Sequence, residues 1–135
     1  MNIRLAEIND YPFLKENDKH IRKDEIKSLI YQHRILLLEL DDEIIGWLRW
    51  SLFWDNTPFM NMLYILDGHR SQGLGKKLVE FWENQIKQDG YNMVMTSSLS
   101  DEQAQHFYRK LGYVDSGSLL LPGEALEIIF TKHFK

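Results

Sequence analysis

The residues best placed to do chemistry lie in one stretch, Ile65-Leu66-Asp67-Gly68-His69-Arg70-Ser71-Gln72-Gly73-Leu74-Gly75-Lys76-Lys77-Leu78. An apolar run leads into it, Gly73 and Gly75 let the backbone approach a ligand closely, and a helical pattern of apolar residues follows at once. Free N–H groups at a helix start, with the positive end of the helix dipole, favour a phosphate or pyrophosphate. Arg70, Lys76 and Lys77 add positive charge, so an anionic ligand is expected. Taken alone, the same residues also describe a plain strand-to-helix turn with solvated lysines. Two nucleotide loops are excluded. A Walker A loop needs glycine where Arg70 stands and Ser or Thr where Lys77 stands. A dinucleotide fingerprint needs its third glycine at Leu78 and a place on the first strand of a βαβ unit.

Composition narrows the chemistry further. With no cysteine there is no thiol nucleophile, disulfide or thiolate zinc site, which suits a reducing cytoplasm, the expected location. The histidines His33, His69, His106 and His133 show no ligand spacing, and no metal site is expected. The net charge of −4 argues against a nucleic-acid partner. Met1-Asn2-Ile3-Arg4-Leu5-Ala6-Glu7 lacks a signal-peptide pattern, and no stretch approaches the roughly 18 apolar residues of a span, so no membrane partner is expected. At 135 residues without a linker or repeat, residues 1–135 read as one domain.

The elements that must hold this loop show in changes of period. Ile3 to Ala6 reads as a strand, Asp10-Tyr11-Pro12 as a helix start, and Ile26, Leu29 and Ile30 as the apolar face of a second helix ending near His33. Arg34–Leu40, Ile44–Trp54 and Phe59–Leu66 are three hairpin-linked strands, with Asp41-Asp42-Glu43 as the first turn. Leu74, Leu78, Phe81, Trp82 and Ile86 give the helix after the glycine loop its buried face, and Gly90 ends it. Tyr91–Thr96 is the next strand, Ser100-Asp101-Glu102-Gln103 a capping box opening a helix through Lys110, and Tyr113–Ser116 and Leu126–Thr131 the last strands. The order βααβββαβαββ predicts an α+β (mixed α/β) fold, a mostly antiparallel twisted sheet of about seven strands flanked by helices.

Two motifs in this order resemble the Gcn5-related N-acetyltransferases (GNAT). Arg70-x-x-Gly73-x-Gly75 matches the family's Arg/Gln-x-x-Gly-x-Gly/Ala loop, and Tyr108-Arg109-Lys110-Leu111-Gly112-Tyr113 its Tyr-x-x-x-Gly-Phe/Tyr helix ending. The resemblance runs from first strand to last. It implies that the loop from Arg70 through Ser71, Gln72, Gly73, Leu74 and Gly75 to Lys76 holds the pyrophosphate of acetyl-CoA as acyl donor. It also implies that the backbone of Leu63, Tyr64 and Ile65 pairs with the pantetheine arm. The N–H near Ile65 would polarise the thioester carbonyl. Tyr108 takes the position of the general acid that protonates the departing thiolate. Asp101 stands where the family often has an Asn touching pantetheine; ionised Asp accepts but cannot donate, and a helix-start role is the alternative.

An alkylammonium acceptor must lose a proton before it attacks. Some relatives place a glutamate on the strand before the glycine loop, but here that position is Phe59, and Phe59–Leu66 holds no acid. Asp55, Glu124 and His20 are the candidate bases, each on a loop that commonly faces the acceptor in this fold. Phe53-Trp54-Asp55-Asn56 reads either as an aromatic and acidic wall attracting a cationic amine or as a packed hairpin end. The expected reaction is acetyl transfer to a primary amine, of a small molecule or a protein, by direct attack in a ternary complex. A longer acyl group, a hydroxyl acceptor, or a non-catalytic coenzyme-A-binding module are the alternatives. A homodimer is expected only by analogy.

Overall fold

The computed structural model describes residues 1–135. Seven strands, β1 (Asn2–Leu5), β2 (Ile35–Leu40), β3 (Glu43–Phe53), β4 (Thr57–Ile65), β5 (Met93–Leu99), β6 (Val114–Leu119) and β7 (Glu127–His133), form one sheet in the order β1-β2-β3-β4-β5-β7-β6. Four helices accompany them: α1 (Tyr11–Asn17), α2 (Lys23–Tyr31), α3 (Leu74–Gln88) and α4 (Ala104–Lys110). The fold is α+β, and the element order matches the one expected from the sequence. No helix is long and apolar enough to cross a membrane.

Contacts divide the chain into two compact units, residues 1–51 with 62–82 and residues 52–61 with 83–135. In the first, β1 and β2 pair antiparallel, as do β2 and β3 across a bulge at Leu38 and Glu39. Asp41 and Asp42 turn that hairpin with φ of 53° and 65°. Both lie in the left-handed region a two-residue hairpin turn needs and that Asp tolerates. On β2 and β3, Leu37 and Trp47 pack with Leu14, Ile26, Leu29 and Ile30 of α1 and α2. The 3.6-residue spacing read from the sequence puts those three α2 residues on one buried face.

In the second unit β5 pairs antiparallel with β7, and β7 with β6. β4 and β5 run parallel over two register pairs, Phe59 with Met95 and Met60 with Thr96, while β4 itself continues to Ile65. Val94 and Phe130 are fully buried. β5 starts two residues later than expected because the Tyr91 N–H still bonds back to the Ile86 carbonyl at 3.2 Å, closing the end of α3. The strand then runs on through Ser97 and Ser98, whose backbones pair with Ile129 and Ile128.

The capping box does not open α4. Ser100–Gln103 stays in turns and the helix begins at Ala104, with Gln103 at its N-cap. The Glu102 carboxylate accepts from the Leu99 N–H at 3.1 Å, and the Gln105 amide donates to the Ser100 carbonyl at 2.7 Å. These bonds hold the turn in place of the expected cap. Asp101 therefore lies in an exposed turn and is not a helix-start residue.

Candidate active site

The glycine loop joins β4 to α3. Gly68 and Gly73 have φ of 90° and 75°, and Ser71 of 63°. A Cβ built at Gly73 meets nothing within 4 Å, so this glycine serves its backbone conformation and leaves open space in front of the helix. Gly75 is the second residue of α3. The first helical hydrogen bond recorded at this end runs from the Lys77 N–H to the Gly73 carbonyl at 3.2 Å. The N–H groups of Leu74, Gly75 and Lys76 precede it in the first turn and are the donors a helix leaves for an anion. Leu74 is buried, whereas Gln72, Lys76 and Lys77 are exposed. This arrangement fits a pyrophosphate.

Arg70 does something the sequence did not show. Its Nε donates to the Ile65 carbonyl at 2.8 Å, Nη1 lies 3.1 Å from the Asp67 carboxylate, and the guanidinium sits 4.9 Å above the Tyr64 ring. The loop is thus tied back to the strand that delivers it. Gly46 of β3 is a second unforeseen contributor: a Cβ there would lie 2.7 Å from Ile65 Cδ1 and 2.9 Å from the Tyr64 carbonyl oxygen. Beside it, the Leu66 N–H donates to the Ile45 carbonyl at 2.8 Å. Only a residue without a side chain lets this end of β4 lie so close to β3.

Tyr108 stands on α4 among Phe107, Tyr113 and Phe130, with ring centroids 5.3, 5.7 and 6.0 Å away. It is 7% exposed. Burial pushes its phenol up to about 12, the nearby Glu102 charge adds to this, and a hydrogen bond with the Thr96 hydroxyl opposes it. Thr96 Oγ1 also donates to the Met60 carbonyl at 2.9 Å, at the second register pair of the β4–β5 ladder. Tyr113 is held in turn: its OH donates to the buried Glu83 at 2.7 Å, and Glu83 also takes Lys132 Nζ at 3.0 Å. The Tyr113 N–H donates to the Tyr108 carbonyl at 3.1 Å.

The candidate acceptor residues lie on three different connections of the chain. Trp54 and Asp55 are the two central residues of the β3–β4 turn, at the start of β4, whereas Leu63, Tyr64 and Ile65 are its last three residues. Glu124 is exposed in the turn between β6 and β7. His20 lies in the connection between α1 and α2 and lines a cavity of about 140 Å³ with Asn17, Asp18 and Lys19 on one side and Trp47, Met62 and Tyr64 on the other. Asp18 and Arg49 form a buried ion pair beside it at 2.8 Å, which no motif or spacing indicates. The two residues lie 31 positions apart, and neither belongs to a motif.

Residues 3–113 match the family described as acetyltransferase (GNAT) family. No curated protein sequence matches. Among solved structures, a GNAT-family acetyltransferase from Bacillus cereus ATCC 10987 superposes with a TM-score of 0.80 at 22% identity, over 99% of this chain and 97% of the other. The ribosomal-protein-S18-alanine N-acetyltransferase from Escherichia coli gives 0.83 at 15% identity, over 99% and 94%. A Bacillus anthracis str. Ames protein described as a putative streptothricin acetyltransferase, in complex with acetyl coenzyme A, gives 0.69 at 23% identity, over 74% of this chain and 61% of that one.

Proposed function

Because the chain belongs to the acetyltransferase (GNAT) family, with acetyl-CoA as acyl donor, we propose that it acetylates a primary amine, of a small molecule or a protein, by direct attack in a ternary complex. The observation that carries this reading is the glycine loop. Gly73 holds a left-handed turn with open space before it, and α3 starts there.

When bound, acetyl-CoA supplies an electrophilic thioester carbon. The amides from Arg70 through Ser71, Gln72, Gly73, Leu74, Gly75 and Lys76 hold its pyrophosphate, with the Lys76 charge in support. The backbone of Leu63, Tyr64 and Ile65 aligns the pantetheine arm. The Ile65 N–H donates to the thioester oxygen as negative charge develops there. The Ile65 carbonyl, in the next peptide unit, is held by Arg70, which ties the end of β4 in place. Asp101, exposed in the turn ahead of α4, accepts from a pantetheine amide.

Tyr108 is the acid. Held near 12, its phenol keeps its proton at neutral pH. A thiol titrates near 8.5, so complete proton transfer to a free thiolate runs uphill. Tyr108 therefore acts first as a hydrogen-bond donor to the sulfur while the C–S bond lengthens, and full transfer of its proton, uphill on its own, is drawn forward as solvent reprotonates the phenol. No enzyme thiol takes part, consistent with a chain that has no cysteine.

Thiol release from acetyl-CoA over a panel of amines and peptides, with mass detection of the product, tests the reading. Tyr108→Phe is expected to lower kcat by about 10²-fold and leave the Kd for acetyl-CoA within about twofold. Coenzyme binding without turnover on any amine would support a coenzyme-binding module instead, and product only with alcohols would move the acceptor to a hydroxyl.

A further inference from the structure

The cavity beside His20 contains an expensive feature. Asp18 and Arg49 are 5% and 6% exposed, and burying such a pair costs several kcal/mol per ion before their attraction and other hydrogen bonds offset it. Asp18 accepts from Arg49 Nε at 2.8 Å and Nη2 at 3.4 Å, and from Trp47 Nε1 at 3.1 Å. The remaining bonds of the pair go to one residue. The His20 N–H donates to Asp18 Oδ1 at 3.3 Å, and Arg49 Nη2 donates to the His20 carbonyl at 3.4 Å. Both backbone polar groups of His20 are held by the buried pair, so its side chain is presented to the cavity by a fixed backbone.

We propose that this cavity receives a small monoamine with an apolar body, that His20 takes the proton from its nitrogen, and that Asp18 and Arg49 are positioning residues for His20. The proposal rests on the acetyl-transfer reading above. Three observations carry it. Met62 and Tyr64, which line the cavity, flank Leu63 in the strand segment assigned to the pantetheine arm. Of Asp55, Glu124 and His20, His20 shares a cavity with that segment. The Asp18 carboxylate, the one acid lining the cavity, already has its charge matched by Arg49. No anion is left to select a second cation, while Trp47, Met62 and Tyr64 offer apolar surface to a body that a volume of about 140 Å³ can hold.

In the step, the amine lone pair attacks the acetyl carbon, a C–N bond forms and the C–S bond breaks. His20 accepts the proton lost from nitrogen, Tyr108 supplies one to sulfur, and both groups re-equilibrate with solvent, leaving amide and free thiol. The charged and titratable groups facing His20 are Asp18 and Lys19 beside it, Arg49 of β3 and Tyr64 of β4.

The probe is 2-phenylethylamine. Without coenzyme, it is expected to shift the NMR signals of the Trp47 indole N–H and the His20 imidazole, while spermidine leaves them in place. With acetyl-CoA, His20→Gln is expected to lower kcat for the probe by about 10²-fold, flatten the pH-rate profile, and leave the Kd for acetyl-CoA unchanged. Arg49→Lys, which keeps the charge pair but loses the fork that reaches the His20 carbonyl, should lower kcat several-fold and keep the shape of the pH-rate profile. His20 is exposed, so its substitution leaves the fold intact. The proposal is overturned if the probe leaves both signals unmoved, if His20→Gln keeps the wild-type pH-rate profile, or if Arg49→Lys turns over like wild type. Signals that move while no amine releases thiol would instead overturn the acetyl-transfer reading and leave the cavity assignment standing.

Discussion

Arg70 Nε donates to the carbonyl of Ile65 at 2.8 Å, so the first residue of the glycine motif reaches back across five positions to the last residue of β4. Its guanidinium also lies over Tyr64 and beside Asp67. Arginine opens the motif here for its fork: one face stacks on an aromatic ring while its edge holds a carbonyl and a carboxylate. A bond of this kind is worth about 1 kcal/mol. Arg70→Ala is therefore expected to raise the KM for acetyl-CoA by about five- to tenfold, with little loss of thermal stability because the site is exposed. Arg70→Lys should recover less than half of the effect, since an ammonium cannot hold both partners in one plane. Steady-state kinetics with acetyl-CoA varied, beside a melting curve, checks this; full recovery by lysine would show that charge alone matters.

Gly46 sets how closely β3 and β4 approach where the thioester is proposed to lie. At 2.7 and 2.9 Å from Ile65 Cδ1 and the Tyr64 carbonyl oxygen, an added methyl cannot be accommodated without moving backbone. The side-chain end of Ile65 can rotate away, but the carbonyl cannot. Gly46→Ala is expected to cost about 1–3 kcal/mol in urea unfolding and to lower kcat/KM by more than tenfold through the displaced Ile65 N–H. A stability loss with unchanged kcat/KM would separate Gly46 from the site and leave it a packing residue.

What the sequence made legible was what short-range periodicity and spacing encode. The helical repeat of Ile26, Leu29 and Ile30 and the loop around Gly73 appear where their patterns put them. Contacts between distant positions were not legible. The bond between Asp18 and Arg49, the bond from Thr96 to the Met60 carbonyl, and the clash that keeps position 46 glycine each join elements that only the folded sheet brings together. The α4 cap failed for a local reason: Glu102 bonds to the N–H of Leu99, before the turn. A Ser-x-x-Gln spacing cannot reveal that competition.

Trp54 and Asp55 turn the β3–β4 hairpin with φ of 54° and 63°, closed by an Asn56 N–H to Phe53 carbonyl bond of 3.2 Å. A bulky residue at positive φ is strained, whereas Asn-Gly suits this turn. Trp54 is 80% exposed, and its ring contact is with Phe53 at 4.7 Å. Trp54→Asn with Asp55→Gly should raise stability by about 0.5–1 kcal/mol and leave the amine KM unchanged, read by chemical unfolding and kinetics. A raised amine KM with coenzyme affinity retained would return this turn to the acceptor site.

Arg4 grips Asp10 with both arms, at 2.8 and 2.9 Å, and Asp10 also accepts from the Glu7 N–H at 2.7 Å. Arg4 reaches Glu39 of β2 as well, so the pair ties the turn before α1 to the first two strands. The hydrogen bonds from Arg4, first among the causes, hold the Asp10 carboxyl below the usual aspartate range; burial opposes them. The sign follows from linkage. In the unfolded chain Asp10 takes up its proton near pH 3.9, while in the fold it stays charged to lower pH. Its contribution is complete above that value and is lost as the pH falls through the folded value. Asp10→Asn is thus expected to lower the unfolding free energy by about 2 kcal/mol at pH 7, with the gap to wild type closing as the pH drops from 4 to 2. Urea unfolding at a series of pH values reads this directly. A gap that persists undiminished at pH 2 would assign the role of Asp10 to shape and not to charge.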